Sequence, residues 1–224
     1  MKIDILTLFP EMFEGFINTS IIKRAIQKKQ IEINLINFRD YSPLNNKQVD
    51  DTPYGGGAGM ILRCEPIFEC LDKIDTKDAH IILLSPEGIK YNQSVAKSLA
   101  NYNHLIIICG HYEGFDERIK TRVDEVISIG DYILTGGEIP AMAITDSITR
   151  LLPGVISDSS LEEESFNNNM LDYPTYTKPQ EYRGLKVPEI LLSGDHKKIA
   201  LYRQKEKLKK TKELRPDLME GENE

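Results

Sequence analysis

Five short apolar segments, separated by longer amphipathic ones, most constrain the fold of this chain. Several of them are apolar on successive residues instead of on alternate ones, which is typical of strands that are covered on both faces. Strands that alternate with helices predict an α/β fold with a mostly parallel sheet. The predicted strands are Lys2–Phe9, Ile31–Phe38, His80–Ser85, Leu105–Gly110 and Glu125–Gly130, and the predicted helices are Pro10–Lys29, Tyr91–Asn101 and Glu138–Leu152.

The strand and helix pattern ends near Pro153. The residues that follow are polar, contain several prolines and show no periodicity, so they predict a long connection, whereas the chain beyond Pro188 has a helical pattern. We therefore place a boundary between about Gly154 and Asn169. Three parts are predicted: a first domain of residues 1–154, a connection of residues 155–169 and a small C-terminal helical domain of residues 170–224.

Composition and cysteine content indicate a soluble protein of the cytoplasm. The chain has 224 residues, of which 40% are hydrophobic and 28% charged, so it can bury a sizeable core. No apolar stretch approaches the ~20 residues that span a bilayer. The N-terminus carries Asp4 and Glu11 among its apolar residues and predicts a first strand, not a secretion signal. The three cysteines form no CxxC pair, which favours reduced thiols and argues against a zinc site.

The basic residues are concentrated near one end. The net charge is −7, which argues against a general nucleic-acid binder, yet the segment Lys197–Arg215 holds nine Lys or Arg and only two Glu. Such a run most often forms a solvated helix surface. The more specific interpretation is that it binds a polyanionic partner.

Glycines form a motif at residues 53–60 that resembles a nucleotide-binding fingerprint. PYGGGAGM contains a formal GxGxG, but the preceding NNKQVDDTPY is too polar to be the buried strand that a Rossmann fold requires. The chain also has no GxxxxGK[ST] phosphate loop. The segment is therefore a surface loop, a flexible lid or a backbone surface for a large substrate.

Glycines also follow three of the predicted strands. Open α/β sheets bind ligands outside the carboxyl ends of their strands, and glycines let backbone N–H and C=O groups approach a ligand. One such turn is ordinary, whereas three predict a ligand crevice without naming the ligand. These glycines are Gly88, Gly110, Gly114, Gly130, Gly136 and Gly137.

Eight blocks of the chain identify a family. The blocks are KIDILTLFPEMF, PYGGGAGM, LLSPEG, CGHYEGFDER, SIGDYILTGGE, DSITRLLPG, YPTYTKP and LLSGDH. In these blocks, from Lys2 to about Pro216, the chain resembles the bacterial TrmD-type tRNA (guanine-N1)-methyltransferases of the SPOUT class. The resemblance implies a SPOUT fold with a deep trefoil knot, a rare exception to the rule that chains do not thread themselves. It also implies a homodimer whose active sites are shared between subunits.

The same resemblance implies that S-adenosylmethionine, the methyl donor, binds in the knot. It leaves open whether a divalent ion such as Mg²⁺ takes part. The residues that the resemblance assigns to the cofactor are Ser85, Pro86, Gly88, Gly110, Tyr112, Ile129, Gly130, Asp131, Tyr132, Ile133, Leu134, Gly136, Gly137 and Pro140.

Two catalytic residues follow from the chemistry and the resemblance. Guanine N1 carries a proton that a base must remove, and the charge that develops on O6 needs a cation or a hydrogen-bond donor. The resemblance implies Arg150 as the donor and an Asp of an (E/D)DSF motif as the base. This chain reads LEEESFNNN, so Glu164 stands in place of that Asp, one methylene longer. We expect Glu164 to be the base, with Glu162 and Glu163 as alternatives.

Other polar residues of the matching blocks have open or structural roles. Glu113 and Asp116 could orient the cofactor amino group or a divalent ion, or could brace the loop together with Arg118. His111 stands where many relatives have Arg and is assigned no catalytic role. The segment SGDHKK predicts a helix that begins at His196 with Asp195 as its cap.

The resemblance also gives the basic segment a meaning. Its Lys and Arg would contact the phosphates of a tRNA, and the target base would leave its stack to reach the cofactor. That base would be the guanosine 3′ of the anticodon, position 37. Because the chain ends at Glu224, earlier than many relatives, some tRNA contacts of those relatives are expected to be absent.

Two other functions compete with this reading. Ribose 2′-O methylation is possible on the same fold, although it has no O6 charge for Arg150 to stabilise. An RNA-binding protein that has lost catalysis is the other, and Glu164 in place of Asp is the feature that favours it.

Overall fold

The computed structural model describes residues 1–157 and 164–220. The chain divides into two compact units, an N-terminal unit of residues Met1–Ile156 and a C-terminal unit of residues Ser157–Glu224. The observed division lies at the start of the predicted connection. None of the helices in the described ranges is long and apolar enough to cross a membrane.

A five-stranded sheet of order β2-β1-β6-β5-β7 forms the centre of the N-terminal unit. Every pair of neighbouring strands in it is parallel, which confirms the predicted α/β fold. Two short antiparallel strands, β3 and β4, flank residues 53–60, which we call the glycine-rich loop. The strands of this unit are β1 (Lys2–Thr7), β2 (Glu32–Asn37), β3 (Asp50–Asp51), β4 (Ile61–Leu62), β5 (His80–Lys90), β6 (His104–Ile108) and β7 (Glu125–Ser128).

The helices of the N-terminal unit agree with the predicted ones in two places and differ in two. The predicted helix Pro10–Lys29 is interrupted, because Thr19 is extended and Ser20 has a φ of 52°. The spacing of apolar residues also did not predict the helix Cys64–Lys73, which has Pro66 in its first turn. Short 3₁₀ turns occupy Pro10–Phe13, Phe38–Tyr41 and Glu117–Arg122, and the α-helices are α1 (Glu14–Ile17), α2 (Ser20–Gln27), α3 (Cys64–Lys73), α4 (Gln93–Leu99) and α5 (Glu138–Thr149).

Two apolar clusters, one on each face of the sheet, explain why the strands are apolar on successive residues. Ile107 of β6 faces a cluster that contains Ile144 of α5. Its neighbour Ile106 faces the other cluster, which contains Ile67 of α3. All four residues are fully buried, and burial of such a side chain stabilises the fold by roughly 1.5–3 kcal/mol. The three cysteines are also buried, and none forms a disulfide.

The C-terminal unit is built on one long helix. Its described elements are a 3₁₀ turn at Asn167–Asn169, the hairpin of β8 (Glu181–Tyr182) and β9 (Leu185–Lys186), and the helices α6 (Glu189–Leu192), α7 (His196–Leu214) and α8 (Asp217–Glu220). Thr211 of α7 is buried, and its Oγ1 accepts a hydrogen bond of 3.0 Å from the Leu171 backbone N–H. The Arg203 guanidinium lies 4.6 Å from the ring centroid of Tyr173. These contacts fasten the segment before the hairpin to α7.

Helix α7 begins as the sequence predicted, with Asp195 as its cap. Oδ1 of Asp195 accepts a hydrogen bond of 3.1 Å from the Lys198 backbone N–H. Because an N-cap satisfies one of the free N–H groups of the first turn, Asp195→Ala should speed the hydrogen exchange of the first-turn amides roughly fivefold. Gln204→Ala, at an exposed position in the middle of the helix, is the control. Equal exchange rates in the two variants would contradict the capping role.

Candidate active site

A cavity opens at the carboxyl ends of β6 and β7 and beside the middle of β5, which are three neighbouring strands of the sheet. Three chain segments build it: residues 84–86 of β5, the turn after β6 (residues 110–115) and the turn between β7 and α5 (residues 129–137). The lining residues are Leu84, Ser85, Pro86, Gly110, His111, Tyr112, Glu113, Gly114, Phe115, Ile127, Ser128, Ile129, Gly130, Tyr132, Ile133, Leu134, Thr135, Gly136, Gly137 and Pro140.

Two of these turns are packed backbone against backbone. The Gly137 N–H donates a hydrogen bond of 2.8 Å to the Gly110 carbonyl, and His111 and Gly136 form an antiparallel bridge. A Cβ at Gly137 would lie 2.7 Å from both the Cα of Cys109 and the N of Gly110. Real Cβ atoms do not approach backbone so closely, so this position requires glycine.

The turn after β7 is held by local hydrogen bonds. The Gly130 N–H donates to Oγ of Ser128 at 3.3 Å, and this hydroxyl donates to the Gly130 carbonyl at 3.2 Å. The Tyr132 N–H also donates to the Gly130 carbonyl, at 3.0 Å. On the far side, the Tyr91 N–H donates to the Ser128 carbonyl at 2.8 Å. Hydrogen bonds within the protein therefore hold this wall of the cavity in place.

The turn after β6 is joined to the glycine-rich loop. The Glu113 N–H donates to the Met60 carbonyl at 3.0 Å, and the Leu62 N–H donates to the Gly114 carbonyl at 2.8 Å. The side chain of Glu113 fills the space that a Cβ at Gly59 would need. The sequence left three roles open for this loop, and the structure places its last residues beside the cavity wall.

The described residues that line the cavity include no Lys or Arg. Glu113 is a carboxylate among them, whereas the nearby Asp116 is engaged elsewhere. Asp116 accepts hydrogen bonds of 2.8 and 2.6 Å from the Arg118 guanidinium, which holds the pKa of Asp116 below its usual range. Of the two roles left open for Asp116, this contact fits the bracing of the loop.

His111 lies between the two glycine turns. Its Nδ1 accepts a hydrogen bond of 3.0 Å from the Tyr112 backbone N–H, so a neutral ring carries its proton on Nε2. Its ring lies 4.9 Å from that of Phe9. Tyr112 itself has a φ of 59°, a conformation that is uncommon for a residue other than glycine and that occurs often at functional sites.

All but two of the residues assigned to the cofactor line this cavity, and the exceptions are Gly88 and Asp131. Strand β5 does not end at Ser85 as predicted: its pairing with β7 shifts between Leu84 and Ile89 and then continues. As a result, Gly88 packs against the Ile127 backbone, where a Cβ would collide. Asp131 is exposed and accepts a hydrogen bond of 2.7 Å from Lys90 Nζ.

Several lining residues were not assigned from the sequence. Most of them stand directly beside assigned residues in the same blocks, so adjacency in the sequence was the available signal. The unassigned residues are Leu84, His111, Glu113, Gly114, Phe115, Ile127, Ser128 and Thr135.

The two expected catalytic residues belong to different units. Arg150 directly follows α5 in the N-terminal unit and is half-buried, and its backbone N–H donates to the Asp146 carbonyl at 3.1 Å. Glu164 belongs to the C-terminal unit and is also half-buried. The chain folds back just after it, because Oγ of Ser165 accepts a hydrogen bond of 3.0 Å from the Asp172 N–H. Glu162 and Glu163, the alternatives, lie outside the described residues.

Comparison with known proteins identifies the family. A family model described as tRNA (Guanine-1)-methyltransferase TrmD matches residues 1–221. The tRNA (guanine-N(1)-)-methyltransferase of Malacoplasma penetrans is 56% identical over 218 residues, which cover 97% of this chain and 96% of that protein. Its counterpart in Carboxydothermus hydrogenoformans is 57% identical over 98% of this chain and 87% of its own length. The counterpart in Bacillus pumilus is 52% identical, with 99% and 93% covered. This chain belongs to the TrmD family of tRNA (guanine-1)-methyltransferases.

Proposed function

We propose that this protein transfers a methyl group from S-adenosylmethionine to N1 of guanosine 37 in tRNA. Membership of the TrmD family supports methylation of guanine N1 in tRNA, without the position of the guanosine in the tRNA. The cofactor assignment rests on the cavity beside the middle of β5 and at the ends of β6 and β7. The glycines in the turns after β6 and β7 leave backbone groups accessible there. The nucleotide position rests on the resemblance of the sequence blocks.

The residues of this cavity fit S-adenosylmethionine. When bound, this cofactor supplies a methyl group on a positively charged sulfur. No Lys or Arg among the described lining residues would repel that charge. In residues 129–134 the N–H groups of Gly130 and Tyr132 are bonded within the turn, so other backbone groups of this stretch would contact an adenosine. Tyr132, Ile133 and Leu134 offer exposed apolar surface.

Glu164 and Arg150 supply the acid–base chemistry in this proposal. The Glu164 carboxylate takes the proton from guanine N1, while the bond from N1 to the methyl carbon forms and the bond from carbon to sulfur breaks. The Arg150 guanidinium stabilises the negative charge that spreads to O6 as the proton leaves. The thioether product leaves without charge.

Exposed apolar residues support the proposed homodimer. Ile133 beside the cavity is 83% exposed, Ile139 of α5 is 51% exposed and Met12 is 46% exposed. A second copy of the chain could cover such residues, and a shared active site would then combine elements of two subunits. The proposed knot would lie in the three strand-end segments that build the cavity. Buried thiols without disulfides fit action in the cytoplasm.

Helix α7 is proposed to hold the tRNA. It carries most of the basic residues of the segment Lys197–Arg215, and contacts between cations and phosphates supply affinity that falls as salt rises. The flipped target base would then reach the cofactor cavity.

Methyl-labelled S-adenosylmethionine and unmodified tRNA test this function. We expect label in 1-methylguanosine after nuclease digestion, and none when guanosine 37 is replaced by adenosine. Label on a ribose would favour 2′-O methylation instead. Binding of tRNA without label transfer would favour an RNA-binding protein that has lost catalysis.

A further inference from the structure

Glu138, the first residue of α5, lies directly behind the glycine turn of the cavity. It is 2% exposed. Its Oε1 accepts a hydrogen bond of 2.7 Å from Oγ1 of Thr7, at the end of β1. The same Thr7 oxygen accepts a hydrogen bond of 2.9 Å from the Phe9 N–H. The carboxylate is therefore buried and held in one orientation.

The second carboxylate oxygen lies against the cavity wall. A Cβ at Gly136 would collide with Oε2 of Glu138, and Gly136 is a lining residue. The carboxylate thus occupies the space that the missing side chain of Gly136 leaves. Gly136 therefore contacts the Glu138 carboxylate and also lines the cavity.

This carboxylate has no cationic partner within the described residues. None of the ion pairs within 4.0 Å there involves Glu138, and the lining residues of that part of the chain include no Lys or Arg. A buried charge without a counter-ion attracts a cation strongly, because the interior screens it less than water does. No cationic side chain of the described residues therefore neutralises the Glu138 carboxylate.

The effect of this charge reaches the cavity wall. Cys109 packs against Gly137, and its thiol has a pKa raised well above its usual value, chiefly because it is buried and further because of the negative charge of Glu138. Burial disfavours a charge of either sign at this place. The interaction with Glu138, in contrast, disfavours a second negative charge and favours a positive one.

We infer that Glu138 makes the cavity select the positively charged methyl donor over its neutral thioether product. This inference rests on the proposed function, since donor and product are those of the proposed reaction. The two molecules differ by one methyl group and one unit of charge at sulfur. The attraction to Glu138 is therefore lost when the methyl group leaves, which favours the exchange of product for a new donor.

Calorimetry on the full chain, without tRNA, tests the inference. The probes are S-adenosylmethionine, S-adenosylhomocysteine and the analogue in which a protonated amine replaces the sulfonium. In Glu138→Gln the amide oxygen can still accept the Thr7 hydrogen bond, but the charge is gone. We expect this variant to bind both cations roughly tenfold more weakly and the thioether within about twofold of the wild type.

Thr7→Val is the matched control, because it removes the hydrogen bond and keeps the charge. It should change the affinities for all three ligands by the same factor. Glu138→Ala is a second charge-free variant and should show the same selective loss if the Gln variant does not fold.

Equal weakening of all three ligands in the charge-free variants would overturn the inference and leave Glu138 a structural residue. Unchanged affinities would overturn it as well. In both cases the proposed methyl transfer would stand. A wild-type protein that binds neither donor nor product would overturn the proposed function and this inference together.

Discussion

Glu164→Gln is expected to slow methyl transfer to tRNA by a factor of about 10²–10³, with S-adenosylmethionine affinity unchanged. The reason is that an amide cannot accept the proton of guanine N1, and a positioned base contributes roughly 10²–10⁴ to the rate of such a step. Single-turnover kinetics with saturating cofactor and tRNA measure the effect, and calorimetry measures the affinity.

Glu164→Asp is the matched control for this prediction. It keeps the carboxylate and introduces the residue that the resemblance places in the family motif, so it should retain turnover within about tenfold of the wild type. Glu163→Gln tests the neighbouring position in the same way. Normal turnover of Glu164→Gln combined with a large loss in Glu163→Gln would move the base by one residue.

The second large effect is expected from Gly137→Ala, which should weaken S-adenosylmethionine binding by at least about a hundredfold. The added Cβ would lie 2.7 Å from backbone atoms of Cys109 and Gly110, so the turn after β7 would move away from the turn after β6. The hydrogen bond from the Gly137 N–H to the Gly110 carbonyl would break. Calorimetry measures the affinity, and thermal unfolding measures the stability.

Gly15→Ala is the control for this substitution. Gly15 lies in α1, has no atom within 4 Å of its Cβ position and does not have a positive φ. The Gly15→Ala variant should therefore bind the cofactor as the wild type does, and its free energy of unfolding should not be lower. If Gly137→Ala also bound normally, the close packing of the two turns would not be a requirement of the site.

The sheet could be predicted because each central strand carries its own signal. Ile106 and Ile107 face opposite clusters, so a strand covered on both faces is apolar at every position. The helices were less predictable where a single backbone angle decides where one helix stops and the next begins. Nothing in the spacing of apolar residues indicates that Ser20 adopts a positive φ at the start of α2, which separates α2 from α1.

The candidate site could be located from its glycines, but its details depend on contacts between distant residues. Gly88 was predicted to follow the end of a strand because it comes after an apolar run, yet β5 resumes its pairing with β7 and places Gly88 against Ile127. Asp131 contacts Lys90, 41 residues away. Glu138 reads in the sequence as an ordinary first-turn acid of a helix, and its burial depends on Thr7. Pairings of this kind carry no local signal.

The hydrogen bond between Thr7 and Glu138 joins residues 131 positions apart in the chain. A growing polypeptide therefore cannot complete the pocket until its first strand and its fifth helix have met, however early the central strands associate. Ligand affinity then becomes a measure of whether the whole N-terminal unit has folded. Conversely, a ligand that binds only the finished pocket raises the free energy of unfolding of that entire unit, first strand included.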